Sequence, residues 1–458
     1  MTGAMNSSTT ASPATREQAA ALDRADELKE WRSQFALPRD AQRDHLGDNH
    51  GLEFIYLCGH SLGLAPIDAR ARVLEELEDW ERLGVHGHEH GRRPWIGYAE
   101  RLNPLLAPLA GAQNHEVVAM NSLSVNLHLL LASFYRPTAT RHRILIEAGA
   151  VPSDRYIVAS QILWHGFDPA QSLVELAPRA DEQLLRMEDI AARIGVEGSA
   201  LALVLWPGVQ YRTGQAFDLG EIVRAARRAG TSAPAGDPSG AIVGFDLAHS
   251  IGNLPLSLHD SGADFAAWCS YKYLNGGPGA IGGAFVHERH ARDTQRPRLA
   301  GWWGSDPATR FRMSDQFELT PGAAGWQISN PPVLSAAPLL TSLQMFAAAG
   351  IAPLRAKSLR LTAFLHSAVE TLCGDAIEFI TPADPKQRGC QLSIRVRGGS
   401  ERARSVHTAL GHHGVITDWR EPDTIRLAPV PLYNTYLEAW SAAEALAKVL
   451  GDWVLGRK

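Results

Sequence analysis

Phe245-Asp246-Leu247-Ala248-His249 closes one apolar run of the chain, and Ser270-Tyr271-Lys272-Tyr273-Leu274-Asn275 closes the next. These two segments decide the fold. An aspartate and a lysine placed just past apolar runs are costly to desolvate unless they serve chemistry. Ligands of open α/β sheets bind beyond the carboxyl ends of the strands, where both segments lie. Outward from them, the runs at 143–148, 172–177, 200–206, 241–247, 264–270 and 282–287 are short and β-rich, and several are continuously apolar. Helical stretches separate them, such as 219–230, which Gly230 closes. Strand and helix alternating in this way predict a largely parallel sheet covered on both faces.

Upstream, Val73, Leu77 and Trp80, with Leu74 beside them, recur at helical spacing over 66–83 with Gly84 as a stop, which predicts an amphipathic helix. The stretch 120–135 is apolar almost all round and predicts a buried helix. After Pro331-Pro332 come two long helical patterns, a strand at 391–397, a helix at 400–410, strands near Val415 and Ile425, and a final helix. That is a smaller α+β domain. The expected organisation is a disordered tail over 1–20, an N-terminal segment of the small domain over 21–65, a large α/β domain over 66–333 and the small domain over 334–458. The Ser-, Pro- and Gly-containing stretch 231–240 is expected to be a surface excursion.

The 458 residues carry 44 Lys plus Arg against 49 Asp plus Glu, and a net charge of -5 lacks the basic footprint that nucleic acid binding requires. Hydrophobic residues at 45% suffice for a sizeable core. Four cysteines without CxxC spacing indicate neither a disulfide framework nor a structural zinc site. No apolar run approaches the roughly 18 residues of a membrane helix, and residues 1–20 have neither a basic nor an apolar leader region. A cytoplasmic protein without a membrane partner is expected.

Three motifs invite chemistry. Gly59-His60-Ser61-Leu62-Gly63 matches GxSxG after an apolar run, the setting of a serine hydrolase elbow, although too few strands precede it and no HGGG segment lies upstream. A glycine-eased turn is the alternative. Gly277-Pro278-Gly279-Ala280-Ile281-Gly282 satisfies GxGxxG, but a strand follows, and a dinucleotide site needs those glycines to open a helix. His86, His88 and His90 would share one face of an extended segment, yet no carboxylate or cysteine cluster completes a shell and Arg92-Arg93 would repel a cation. A substrate-facing loop is favoured and no metal is expected.

A lysine and an aspartate at neighbouring strand ends suit a pyridoxal phosphate enzyme. The amine condenses with the cofactor aldehyde, and the carboxylate keeps the pyridine nitrogen protonated so that the ring accepts electrons. The structural alternative is a salt bridge at the sheet edge, of small net stabilisation.

The company of this pair is more specific. The blocks YLCGHSLGL, GHEHGRRPW, MNSLSVNLHLL, VPSDRYIVASQ, GVQYRTGQ, FDLAHSIGN, WCSYKYLNGGPG, GWWG, GWQISNPP and IRLAPVPLYN, spread from Tyr56 to about Tyr433, resemble the kynureninase family. The resemblance implies fold type I of the pyridoxal 5'-phosphate enzymes and hydrolytic Cβ–Cγ cleavage of L-kynurenine or 3-hydroxy-L-kynurenine. It makes Lys272 the covalent cofactor lysine, Asp246 the partner of the pyridine nitrogen with His249 beside it, and Tyr271 a phosphate contact and acid–base relay. It also implies that Leu123 and Ser124 hold the phosphate at a helix start, that Ser153 and Asp154 lie near the ring, and that Trp302 and Asn330 come from later loops. Arg426 would clamp the substrate carboxylate bidentately, and His88, Ser329 and Asn330 would line the aryl end. In this family the GxSxG segment is a turn without a nucleophile. Val151 stands where the family usually has a stacking Phe, and Pro207 where a Ser often contacts the cofactor; loss of an aromatic stack removes about 0.5–1.5 kcal/mol. A homodimer is implied too. The alternatives are another fold type I lyase such as a desulfurase or β-lyase, a serine hydrolase using Ser61, and a binding protein without catalysis.

Overall fold

The structure, a computed structural model, describes residues 14–39, 53–230 and 240–454. At its centre stands a seven-stranded sheet built from β1 (Val117–Ala119), β2 (Arg143–Glu147), β3 (Leu173–Leu176), β4 (Leu201–Pro207), β5 (Ile242–Asp246), β6 (Phe265–Trp268) and β7 (Gly283–Val286), in the order β1-β7-β6-β5-β4-β2-β3. The pairs β2/β3, β2/β4, β4/β5 and β5/β6 are parallel, and β7 runs antiparallel to both its neighbours. Six of these strands were expected; the three-residue β1 was too short to show a period.

Alternation explains the continuous apolar runs. Ile144 and Ile146 face one core with Phe265 and Ala267, whereas Leu145 faces another with Val243, Phe245, Ala266 and Trp268. Both faces are covered, so neither can be polar. The helices Leu123–Phe134 and Pro152–Trp164 lie over the first core. Leu219–Gly230, Ala69–Leu83 and Val333–Ala349 belong to the other side, where the last two pack together.

The second sheet, β8 (Ile377–Phe379), β9 (Leu392–Val396), β10 (Asp418–Arg420) and β11 (Thr424–Leu427), is antiparallel with the order β8-β9-β11-β10. Ile351–Cys373, Ser400–His412 and Tyr436–Val454 contribute to its core. The apolar packing changes over within Ile351–Cys373, where Leu354 joins the large-sheet cluster and Leu361 the small-sheet cluster.

Two sequence expectations need correction. Residues 1–20 were read as a frayed tail, but the chain is helical over Arg16–Ala25, capped by the Thr15 hydroxyl, which accepts from Gln18 N at 3.1 Å; residues 1–13 lie outside the described residues. What orders this segment is remote in sequence. The Asp23 carboxylate accepts from Tyr436 N at 2.7 Å and Leu437 N at 2.9 Å, capping the last helix where its dipole favours an anion. The buried Asp26 meets Lys357 at 2.7 Å. Ile55–Tyr56 adds a parallel pairing with Val415–Ile416, while Phe35 and Leu64 pack with the large domain.

The second correction concerns Ala69–Leu83. Its apolar stripe is only partly its buried face: Val73 packs against the large core, but Trp80 is 61% exposed and Leu74 45% exposed, whereas Glu76 and Asp79 are buried. Glu76 accepts from Arg93 Nε at 2.5 Å, Trp95 Nε1 at 3.0 Å and the Tyr98 hydroxyl at 3.1 Å. Asp79 accepts from Arg92 N at 2.6 Å. The two acids therefore pin the GHEHGRRPW block. The expected excursion at 231–240 lies, up to residue 239, outside the described residues.

Candidate active site

The carboxyl ends of β2, β4 and β5 are Glu147, Pro207 and Asp246, which, with Lys272 and Tyr271 from the loop after β6, line a cavity of ≈ 570 Å³. Register places Asp246 opposite Pro207 on one side and Ala267 on the other. Asp246 Oδ1 accepts from Ala248 N at 2.7 Å, which fixes the carboxylate at the strand end. Lys272 Nζ lies 2.9 Å from His249 Nε2. His249 is buried, and desolvation followed by the Lys272 charge holds its pKa well below the usual range. Neutral, it accepts from the Lys272 amine.

Tyr271 lies beside Cys269, and burial first, then that neighbour, raises its pKa. At neutral pH it keeps its proton. Lining the same cavity, the helices Leu123–Phe134 and Pro152–Trp164 begin side by side, with Ser124 Oγ and Ser153 Oγ 2.9 Å apart. Neither helix has a side-chain cap, so the first N–H groups of Leu123–Phe134 and that of Ser153 stay open for an anion. An amine, a buried carboxylate, two uncapped helix starts and two hydroxyls around one cavity fit an aldehyde-bearing pyridine with a phosphate arm. Leu123, Ser124, Val151, Ser153, Asp154, Asp246, His249, Tyr271 and Lys272 line this cavity together. The departures noted in the sequence, Val151 and Pro207, line it too.

Arg426 lies on β11 with its side chain fully buried. Its Nε donates to Asp418 Oδ1 at 2.8 Å and its Nη1 to the Tyr211 carbonyl at 2.6 Å, while Nη2 sits 2.6 Å from Asp418 Oδ1 as an ion-pair contact without hydrogen-bond geometry. Tyr211 and Arg420 line the cavity directly. Arg426 is thus held from behind, with donors of Nη2 still unspent.

Four expected residues stand elsewhere in the chain. His88 and Asn330 line a second cavity with Trp80, Trp95 and Trp303. Trp302 lines a third, donating from Nε1 to the Arg310 carbonyl at 3.1 Å, and Ser329 is exposed. One protomer does not bring them to Lys272. The histidine triplet is helical rather than extended: Gly87–His90 stacks His90 on His86 at 6.3 Å and turns His88 against Trp95 at 5.4 Å. The three imidazoles do not converge.

The glycines of GxSxG have a different reason. A Cβ at Gly63 would fall 2.3 Å from the Lys272 carbonyl and from Asn275 Oδ1, and Gly63 N donates to the Tyr271 carbonyl at 2.8 Å. The turn is packed under the lysine loop. Gly277 and Gly279, at φ of 84° and 72°, shape the exposed turn into β7, not a helix start.

Sequence reasoning missed Glu147, Tyr211, Arg420 and His60. Glu147 ends an apolar strand just as Asp246 does, a signal available in the sequence. His60 is fully buried with both ring nitrogens unbonded, its ring 6.4 Å from that of His249. Nothing in its local sequence marks that setting.

Solved structures share the architecture. The cysteine desulfurase CsdA of Escherichia coli is 17% identical, with 94% of this chain and 98% of that chain covered and a TM-score of 0.69. A C-DES variant with glycine covalently linked to its PLP cofactor is 18% identical, covering 89% of this chain and 99% of that one at a TM-score of 0.70. The fold and the site define a pyridoxal 5'-phosphate enzyme of fold type I.

Closer relatives narrow the class. Kynureninase of Xanthomonas campestris pv. campestris is 53% identical over 440 residues, 94% of this chain and 99% of that protein. Kynureninase of Stenotrophomonas maltophilia is 53% identical over 424 residues, 93% and 96% respectively. The kynureninase C-terminal domain matches residues 354–446. The chain belongs to the kynureninase family.

Proposed function

We propose that this protein hydrolyses the Cβ–Cγ bond of an L-kynurenine, releasing an anthranilate and L-alanine. The observation that carries the reading is the convergence of Lys272, Asp246 and two uncapped helix starts on one cavity in a chain of this family. When bound, pyridoxal 5'-phosphate supplies an electron sink for charge developing on the substrate Cα and Cβ. Lys272 would hold it, and its amine is placed to take the substrate Cα proton; His249, neutral and 2.9 Å away, accepts a hydrogen bond from that amine and aims it. Asp246 would stabilise a protonated pyridine nitrogen. Tyr271, which burial keeps protonated, serves as an acid that returns a proton to Cβ rather than as a base. Arg426, braced by Asp418 and Tyr211, orients the α-carboxylate. Lys272→Ala should abolish covalent cofactor retention and turnover; sustained anthranilate release by that variant overturns the assignment. Sulfide or pyruvate release from cysteine, without anthranilate from kynurenine, would favour the desulfurase-like alternative that the structural neighbours represent.

The aryl end is assigned to a homodimer. Supporting it, Trp80, Trp302, Phe311, Met313 and Leu334 are 45–76% exposed around the cavities that hold His88, Asn330 and Trp302, and exposed large apolar side chains gathered in this way suit a protein contact. In such a dimer these residues, with Ser329, close the site opposite. His88 and Asn330 can hydrogen-bond a ring hydroxyl, which favours 3-hydroxy-L-kynurenine. A kcat/KM that is equal or higher for L-kynurenine refutes that preference, and a monomer in sedimentation refutes the shared site. The cysteines Cys58, Cys269, Cys373 and Cys390 are unpaired, which accords with a reducing cytoplasm.

A further inference from the structure

Glu147, Asp154 and Asp246 line one cavity and are only 2%, 6% and 5% exposed. Among the described residues no arginine or lysine forms an ion pair with any of them, and the amine of Lys272 is bonded to His249 instead. Three buried carboxylates facing one amine would leave excess negative charge in a dry site, which burial strongly disfavours.

The surroundings of the three carboxyls differ. Asp154 and Asp246 are buried neighbours in the cavity and act on each other as a side-chain pair, an arrangement that favours a proton on one of the two. Burial pushes the pKa of Asp246 up as well, but the bond it accepts from Ala248 N at 2.7 Å and the Lys272 charge oppose that push, so of the two it is the one whose charged form is supported. Asp154 has Oδ1 buried with no partner at all, a placement tolerable for a neutral acid and not for an anion. Gln210 is the one neighbour that opposes the effect of burial on Glu147. Gln210 is itself fixed: its Oε1 accepts from Arg212 N and Thr213 N, both at 2.7 Å, and its Nε2 also donates to the Gly149 carbonyl at 3.2 Å. One shared neutral donor is weak support for a buried anion.

We propose that Glu147 and Asp154 are positioning residues held as neutral acids, with Asp154 donating its proton to Asp246, so that Asp246 alone presents negative charge to the pyridine nitrogen. The proposal rests on the cofactor reading above. The other groups facing the cluster agree with it. Tyr271 and Cys269 are kept protonated by burial and His249 is neutral, while Arg420 and Glu421, which also line the cavity, are paired with Asp418 and Arg404 rather than with the three acids. Burial lifts Glu147 to about 8 and Asp154 well above its ordinary value, the latter also through the charge of Asp246.

The test is infrared difference spectroscopy on the cofactor-free full chain at neutral pH, which does not depend on activity. Wild type minus Asp154→Asn and wild type minus Glu147→Gln should each lose a protonated-carboxyl C=O band, and the Glu147 band should fade as pH rises through 8. Loss of an ionised-carboxylate band in either difference overturns the proposal, and a titration of wild type alone with no protonated carboxyl at neutral pH does so without any variant. A second measurement is pyridoxal phosphate affinity. Asp154→Asn keeps a neutral donor and should bind as wild type, whereas Asp154→Ala, which strips a bond from a charged group, should weaken binding about tenfold or more. Equal weakening by both variants refutes the donor role. Failure of the wild type to bind the cofactor would instead refute the underlying reading, whatever the infrared result.

Discussion

Replacing Arg426 by lysine keeps the charge but removes the fork. In the structure the guanidinium makes two hydrogen bonds that hold it, to Asp418 at 2.8 Å and to the Tyr211 carbonyl at 2.6 Å, while Nη2 keeps donors free. A single ammonium cannot satisfy Asp418, the Tyr211 carbonyl and a substrate carboxylate at once. Losing one of two charge-assisted bonds to that carboxylate is a loss of about 1.5–3 kcal/mol, or about 10- to 150-fold in kcat/KM. Because the clamp acts in the ground state and in the transition state alike, most of the loss should fall on KM. The assay is steady-state anthranilate formation beside a denaturation midpoint, since weakening the Asp418 pair should also lower stability by about 1–3 kcal/mol. An amine analogue lacking the carboxylate should be handled almost equally by both proteins. The reasoning is refuted if a folded Arg426→Lys protein shows kcat/KM within about twofold of wild type, or if the analogue suffers as much as the amino acid.

Further outcomes follow from the same geometry. Asp264, at the far end of β6 from Lys272, accepts from Arg227 at 2.8 Å, Arg289 at 2.7 Å, His290 at 2.9 Å and Val243 N at 2.8 Å. Burial alone would raise its pKa, but these partners hold it well below the usual range, so its stabilisation is present above the unfolded value of 3.8 and lost as pH falls. Asp264→Asn should destabilise by about 2–4 kcal/mol, discounted because both guanidiniums keep contact with water, and should leave kcat nearly unchanged. Glu147 behaves oppositely. Its raised value of about 8 contributes stability that is complete below the unfolded 4.5 and lost as pH rises to and through 8, so Glu147→Gln should flatten the fall of a melting-temperature profile between 4.5 and 8. Gly63→Ala forces a Cβ to within 2.3 Å of the Lys272 carbonyl, and the shifted lysine loop should lower kcat by about 10²-fold and stability by about 1–3 kcal/mol; unchanged kcat in the folded variant refutes the coupling of this turn to the lysine.

Much of the fold was legible because the relevant physics is local. Strands covered on both faces must be continuously apolar, and five of the six anticipated runs are the parallel strands of the large sheet, the sixth its antiparallel member. The helix Ala69–Leu83 misled for an equally physical reason. Its stripe of Val73, Leu77 and Trp80 looks like a core face, yet Glu76 and Asp79 are buried because Arg92, Arg93, Trp95 and Tyr98 arrive to satisfy them. No local period announces a partner that lies elsewhere in the chain. The helix Arg16–Ala25 escaped notice for the same cause, since its order depends on Tyr436 and Leu437.

By itself the sequence determined the αβ alternation, the placing of Asp246 and Lys272 at neighbouring strand ends, and membership of a family through motif blocks, because strand period and backbone direction are properties of a few consecutive residues. Only the tertiary structure decided which carboxyls are buried together in one cavity, that His249 meets the Lys272 amine, that Arg426 is braced by Asp418, and that His88, Trp302, Ser329 and Asn330 stand away from the lysine. Those facts depend on desolvation and on distances between residues far apart in the chain, quantities that exist only once the chain has closed around them.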